Sequence, residues 1–563
     1  LRCVCHLLFG IVISFVNFNN IVRKMNTFIQ KVIDLRESST MWLLVLTILS
    51  AVLVMTIVLR FNGRRRRILA SQIPGPDGLP IIGLLPLFLQ EPEKLMKCGM
   101  QVYRMYDKSL FRVWLFNILF IVLTQPEEIE FVLTNPKLIK KAAEYKVLRE
   151  SIMGQGIFSI EDTKKWKHNR KLVSGAFSFS IIKSFIPLFY EETIVLNNIL
   201  QTKCDSSNEF DISMPISMAT MEMIGKTALD VKFNAQNGGH HRFVENLQTT
   251  MTVWEYRVTH PWYLSNTLFQ FSSVKKNHDQ SQKIINEFID EIIAQKLNEL
   301  NVNNSSDKNK SFVNDEDIYP RKTKSLIEIL LGNYHEISHK QIRDELATIM
   351  IGGQETTAMT NACVIFMLAH HEDVQNKVYE ELQSIFSVGD YTRAPTYEDL
   401  QQMEYLERVI KETLRLFPPL PIFGRSLEEE MKIGNYLCPA GSTIFISPLF
   451  MQSNPQYYPD PEKFNPDNFL PDACHNRHPY AFIPFSAGYR NCIGIKYAMF
   501  QIKTVVSTLI RKNTFAPSSK CPTPEHLRLM FLSTLKFVDG CYVKILPRTL
   551  STAGINENPN VPA

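Results

Sequence analysis

The sequence has little imbalance of charge. Its 61 Lys and Arg against 56 Asp and Glu leave a net +5 over 563 residues. No basic stretch is interleaved with aromatics, so nothing points to a nucleic-acid partner. Patterned cysteines are also missing. The ten cysteines stand at positions 3, 5, 98, 204, 363, 438, 474, 492, 521 and 541, without a C-x-x-C pair or a His/Cys group at zinc spacing. Apart from Cys3 and Cys5 they are far apart. That argues against a disulfide framework and for a body kept in a reducing compartment. There is no internal repeat and no composition break that marks a second domain. No small-x-small cleavage site follows the one long apolar run, and the arginines there oppose export, so a removed signal peptide is disfavoured.

What is present is a globular composition, 45% hydrophobic, 11% aromatic and 21% charged, enough for a large core. The length exceeds an ordinary small domain and suits one large catalytic unit. Residues 42–59, WLLVLTILSAVLVMTIVL, are 18 uncharged positions. As a helix they would span about 27 Å, close to the hydrocarbon thickness of a bilayer. Arg60 and then Arg64 to Arg67 follow. Basic residues stay on the cytoplasmic side, so the run reads as a transmembrane anchor with the body in the cytosol. Residues 1–40 begin at Leu1, not at a methionine, and their apolar run, 7–16, is too short to span. Met41 directly precedes the anchor, and we expect 1–40 to be a leader foreign to the native protein. Residues 60–83 read as a basic stop-transfer and a proline-rich hinge, because Pro74, Pro76 and Pro80 cannot continue a helix. Residues 84–548 form the expected catalytic domain and 549–563 a disordered tail.

From about residue 91 to 310 the apolar spacing is mostly helical, as in 92–106, 126–134 and 180–200. Residues 111–123, FRVWLFNILFIVL, are β-rich and read as a buried hairpin. The polar run 301–324 reads as a long exposed loop.

Four short patterns carry chemistry. In WKHNR, Trp166 and Arg170 share one helix face. An indole N–H and a guanidinium together can hold a carboxylate, although such a pair is more often a surface contact. In 343–369 a long apolar helix is interrupted by Gly352-Gly353, at about 1 kcal/mol per glycine relative to alanine. Gln354-Glu355-Thr356-Thr357 follow. A buried acid and hydroxyls beside a glycine gap invite a ligand: the gap admits it to the backbone, the threonine holds it and the acid supplies protons. A kink with threonines bonding back to carbonyls would explain the same residues. In YLERVIKETLRLF, Glu412 and Arg415 lie three apart on one face of a helix that ends at Pro418. Buried, they would form a lock whose breaking strands a charge. Arg425 follows in a short strand. Last, after an irregular proline-rich stretch at 460–469, FSAGYRNCIG sets Cys492 in a loop with Phe485, Gly488, Arg490 and Gly494. A cysteine beside a glycine would be an ordinary buried thiol; the full spacing F-x-x-G-x-R-x-C-x-G is far more constrained.

In this order the four patterns resemble the cytochrome P450 family, from the anchor to about residue 548. The stretch YLERVIKETLRLFPPLP is most similar to the clan of fatty-acid ω-hydroxylases and related insect enzymes. The resemblance implies a mainly α fold with small β-sheets, the cytochrome P450 fold, preceded by a single transmembrane helix. It implies haem b, non-covalent apart from a Cys492–Fe bond whose thiolate donates electron density and favours O–O cleavage. Gly488 and Gly494 would permit close approach to sulfur and porphyrin, and Phe485 would shield the sulfur. Trp166, Arg170, Arg425 and Arg490 would hold the propionates. Glu412 and Arg415 would lock the core on the cysteine side. Glu355 and Thr356 would be the catalytic relay, passing protons to dioxygen as it is cleaved. Electrons would come from NADPH through NADPH–cytochrome P450 reductase docked on the cysteine side, with cytochrome b5 a candidate second donor. The location implied is the endoplasmic reticulum membrane.

The stretches expected to line the pocket, 141–158 and 349–356, are mostly apolar. They favour a lipophilic small molecule, whether fatty acid, hormone, odorant or xenobiotic. Two positions depart from the family. Asn468 stands where an arginine usually joins the Glu/Arg pair, so a weaker lock is expected. Gly352 stands where many ω-hydroxylases carry a glutamate bonded covalently to the haem; that link is not expected here, and the ω-hydroxylase assignment weakens with it. Two other classes fit a haem-thiolate: an isomerase or dehydratase that needs no NADPH, and a non-enzymatic haem-binding protein. The acid–threonine pair favours the monooxygenase over both.

Overall fold

The computed structural model describes residues 46–47, 50, 63–203, 209–239, 241–307, 325–386, 392–531 and 534–548. The expected leader, nearly all of the expected anchor, the expected tail and positions 308–324 of the polar run lie outside these residues. Among the described residues no single helix is long and apolar enough to cross a membrane. The chain is mainly helical with small sheets. It divides into two units, residues 1–128 with 426–445, and residues 129–425 with 446–563.

The smaller unit is built on the hairpin. Phe111–Leu115 pairs antiparallel with Ile118–Val122, Phe111 opposite Val122 and Leu115 opposite Ile118. Ser442–Ile446 then adds in parallel through Phe120 and Thr443. The proline-rich segment lies along the hairpin's first strand: Arg112 N donates to Pro74 O at 2.7 Å and Leu84 N to Trp114 O at 2.8 Å. The arginine block forms helix α1 (Arg64–Ser71). Arg65 grips Glu430 through Nε and Nη2 at 2.6 and 2.7 Å. Arg66 donates to Asn117 O and Gly441 O, at 3.2 and 2.9 Å, and its guanidinium lies over Trp114. The basic block is therefore an ordered part of this unit.

The larger unit is helical. Helix α2 (Thr163–Ala176) starts at Asp162, whose carboxylate accepts Lys164 N and Lys165 N at 2.8 and 3.0 Å, satisfying two orphan amides of its first turn. Helices α3 (Ser213–Ile224), α4 (His241–Thr259) and α5 (Lys275–Asp307) follow. Helix α5 enters the polar run that was expected to be a loop. Once a helix is nucleated, each further residue adds a backbone bond for little extra entropy, so polarity alone does not stop it.

Helix α6 (His339–His370) is 32 residues long and is capped by Ser338, which accepts Gln341 N at 3.2 Å. It is buried on nearly all sides, as a core helix must be if apolar residues surround it. The expected interruption is absent: helical structure runs through Gly352 and Gly353. The glycine at 353 serves packing instead, because a Cβ there would lie 2.6 Å from Ile224 Cδ1 of α3. Helix α7 (Glu404–Leu416) buries Leu406, Val409, Ile410, Thr413 and Leu414 at helical spacing. Helix α8 (Ile495–Lys512) packs against α6 and continues into the strand Asn513–Pro517. Tyr542–Pro547 pairs with that strand and with Glu209–Asp211. A separate small hairpin joins Leu529–Phe531 to Leu535–Phe537.

Candidate active site

The loop around Cys492 is shaped by its glycines and closed by one backbone bond. Cys492 N donates to Phe485 O at 2.9 Å. Gly488 has φ of +66°, and a Cβ there would meet Leu133 O at 1.9 Å, so no other residue fits. Gly488–Arg490 makes a tight turn that points Arg490 inward. The Cys492 sulfur accepts Gly494 N at 3.3 Å, directly before α8. At Gly494 a Cβ would stand 3.9 Å from Sγ, so the protein itself leaves room there. The thiol is recessed: solvent reaches it, yet burial pushes its pKa up, while the Gly494 amide and the Arg170 guanidinium pull it back. An amide at a helix start and a nearby guanidinium both favour a thiolate.

Arg170 acts on the loop directly. Its Nη1 and Nη2 donate to Asn491 O and Oδ1, both at 2.8 Å. Both arms of its fork thus hold the residue beside the cysteine.

Above the loop lies a dry group of cations. Arg490 donates to Ile139 O, Ile157 O and Ile160 O at 3.1, 3.2 and 3.1 Å, and its guanidinium lies 4.1 Å over the Trp166 ring. Arg425, in the strand Phe423–Leu427, is 2% exposed and donates from Nη1 to Gly424 O at 3.1 Å. Lys141 is 6% exposed, and its backbone bridges to Arg425. Its ammonium lies 4.7 and 4.6 Å over the Tyr145 and Phe158 rings. Among the described residues no carboxylate pairs with Lys141, Arg425 or Arg490. Burial, followed by the neighbouring guanidiniums, pulls Lys141 well below its ordinary pKa and Arg490 down to about 9. Three buried cations without an anion are costly unless a ligand supplies one. The set fits two carboxylates on a flat, apolar ligand beside a soft thiolate, which are the features of haem. Lys141 was not foreseen as part of this set.

Helix α6 supplies the other groups. Gly352 faces open space, a Cβ there meeting nothing within 4 Å. Thr356 stands one turn on, on the same face, and its hydroxyl donates to Gly352 O at 2.6 Å. Glu355 is less buried than expected, its side chain being 21% exposed. Its Oε1 accepts Thr534 Oγ1 at 3.0 Å and lies 3.7 Å from Lys536 Nζ. The acid thus leans on the Leu535–Phe537 hairpin while the threonine bonds to its own helix.

Glu412 and Arg415 are both fully buried and joined by two bonds of 2.8 Å. The remaining N–H groups of Arg415 reach Gln452 O, Pro461 O and Lys463 O at 3.0, 2.7 and 3.0 Å. Glu412 Oε1 also accepts Asn465 N at 2.9 Å and Asn468 Nδ2 at 3.1 Å. The pair therefore ties α7 to the irregular segment that leads into the cysteine loop. Asn468 joins it as a neutral donor.

Residues 73–537 match the family model described as Cytochrome P450. The chain belongs to the cytochrome P450 family. Cytochrome P450 4c21 of Blattella germanica is 35% identical over 83% of this chain and 93% of its own length. Cytochrome P450 4c3 of Drosophila melanogaster is 32% identical over 89% of this chain and 94% of its own. Human Cytochrome P450 4V2 is 31% identical over 78% and 82%. These relatives agree with the resemblance to the ω-hydroxylase and insect clan. This P450 is a haem-thiolate monooxygenase by family, and its cofactor is haem b ligated through cysteine.

Proposed function

We propose that this P450 is a membrane-anchored monooxygenase that uses NADPH and dioxygen to insert one oxygen atom into a lipophilic small molecule. The observation that carries this reading is the Cys492 thiol on the same loop as Arg490, which with Arg425 and Lys141 forms a buried group of cations without a carboxylate partner among the described residues. When bound, haem supplies dioxygen activation and C–H oxidation. The protein's part is binding, orientation and proton handling. Gly494 N–H and Arg170 favour the Cys492 thiolate, and Arg170 holds the loop through Asn491. Arg490, Arg425 and Lys141 bind the propionates, with Trp166 packed beneath Arg490. The open face at Gly352 gives the substrate access to α6. Thr356 Oγ1 holds a proton at that face, and Glu355, partly open to solvent, replenishes it. Glu412 and Arg415 keep the segment before the loop in place.

Residues 42–59 form the anchor in this reading, with the body on the cytosolic side of the endoplasmic reticulum. The ordered arginines of α1 directly after them support it. NADPH–cytochrome P450 reductase delivers the electrons, with cytochrome b5 as an additional donor. The apolar 349–351 turn of α6 favours a lipophilic substrate. The test is the haem-loaded enzyme with reductase, screened with a fatty acid, a terpenoid and a steroid for spectral shifts and products. NADPH-dependent hydroxylation is expected. Conversion of a peroxide without NADPH would place the enzyme with the isomerases instead.

A further inference from the structure

Three elements of the larger unit meet at the Lys536 ammonium. From α6 comes Glu355 itself. From the C-terminal hairpin, Thr534 Oγ1 donates to Oε1 at 3.0 Å and Lys536 Nζ approaches the same atom at 3.7 Å. From α4 comes Glu255, whose Oε1 is ion-paired with the same Lys536 ammonium. One cation thus stands between two carboxylates. The two acids are unequal: the Glu255 side chain is 9% exposed and that of Glu355 is 21%. Burial pushes the Glu255 carboxyl up, Lys536 draws it down and the Glu355 charge pushes it up again. The two carboxylates therefore repel each other across the ammonium that holds them together. No motif in the sequence links these positions, since they lie on separate elements far apart in the chain.

We propose that Lys536 is a positioning residue for Glu355, holding its carboxylate turned to the hairpin from which its protons arrive. The proposal rests on the reading of Glu355 as the proton source for Thr356. Without the ammonium, Glu255 repels Glu355 and the single bond from Thr534 is left to hold the acid. Electrons then continue to arrive while protons are no longer delivered through Thr356, and more of the oxygen leaves as hydrogen peroxide after taking up two electrons from NADPH and two protons from water. Lys536 touches neither substrate nor haem in this scheme; it acts only through Glu355.

The test uses the full-length haem-loaded enzyme with reductase and dodecanoic acid as the probe, or the lipophilic compound giving the largest spectral shift if dodecanoic acid gives none. Peroxide formed per NADPH is measured for Lys536→Met, Lys536→Arg, Glu355→Gln and the double variant Lys536→Met/Glu355→Gln. We expect Lys536→Met to raise the peroxide share several-fold, with haem content and probe affinity unchanged. Lys536→Arg retains most of the coupling, because it keeps the cation. The double variant is no worse than Glu355→Gln alone. A Lys536→Met effect of equal size in both backgrounds would overturn the proposal, as would failure of Lys536→Arg to rescue. If Glu355→Gln lowers coupling and Lys536→Met does not, the relay stands and the positioning role falls. If Glu355→Gln itself leaves coupling unchanged, both fall.

Discussion

Replacing Asn468 by alanine probes the neutral third member of the buried lock. Glu412 receives four donors: two from Arg415 at 2.8 Å, Asn465 N at 2.9 Å and Asn468 Nδ2 at 3.1 Å. Asn468→Ala removes the longest and leaves three. A hydrogen bond to a charged group contributes about 1.5–3 kcal/mol. Asn468 is only half-buried, so water replaces part of the loss and about 1–2 kcal/mol is expected. Arg415→Met is different in kind. It removes two of the four donors, releases three backbone carbonyls and strands a carboxylate that is 0% exposed. Breaking a buried pair in this way costs about 3–5 kcal/mol. Against a total stability of about 5–15 kcal/mol, the first change is tolerable and the second removes a large share. Urea unfolding of the haem-loaded protein, followed by circular dichroism, compares the two variants with the parent. If Asn468→Ala unfolded with the parent's midpoint, or as early as Arg415→Met, the arithmetic of the lock would be wrong.

Other predictions concern the site. Thr356→Ala should keep haem and divert electrons to peroxide; unchanged coupling of NADPH to product would remove Thr356 from the relay. Lys141→Met relieves the repulsion among buried cations, so the apoprotein should resist urea better while the holoprotein releases haem faster to an acceptor such as apomyoglobin. Unchanged haem release would take Lys141 out of the propionate site. Glu345 of α6 sits under Ile157 N at 2.8 Å, Asn169 Nδ2 at 2.7 Å and Gln341 Nε2 at 3.1 Å. Burial nevertheless pushes its pKa from 4.5 up to about 7. The folded protein then keeps a proton that the unfolded chain has lost, so this group's contribution to stability falls as pH rises through that window and is level above it. Asp344 beside it is also shifted upward by burial and adds a slope of the same sign. The gap in urea midpoint between Glu345→Gln and the parent should therefore change with pH between about 4.5 and 7. A gap that stayed constant would contradict the shift.

The motifs were legible because each is a local pattern with a stereochemical reason. The Cys492 loop needs a left-handed glycine at 488, and Glu412 and Arg415 need only helical spacing to meet. The hairpin at 111–122 followed from the β-rich composition of the stretch. What was not legible depends on long-range placement. Lys141 reads as one more lysine in LIKKAAEYKVL; its meaning appears only when Arg425 and Arg490 arrive from far along the chain. The bond from Arg170 to the cysteine loop was hidden because its partner, Asn491, is 321 positions away. The glycine pair in α6 looked like a break, since propensity counts its cost and cannot see Ile224 filling the space. Glu355 was expected to be buried because its neighbours in sequence are apolar, but it turns to a polar edge made by Thr534 and Lys536.

The central claim is that Cys492 ligates the haem iron as a thiolate, and Cys492→Ser tests it most directly. The reduced carbon monoxide complex of the parent should show the red-shifted Soret band that gives the family its name. In the serine variant that band should vanish, whether haem is lost or retained with a different axial ligand. A serine variant that kept the band would contradict ligation by Cys492 and, with it, the assignment of the whole loop.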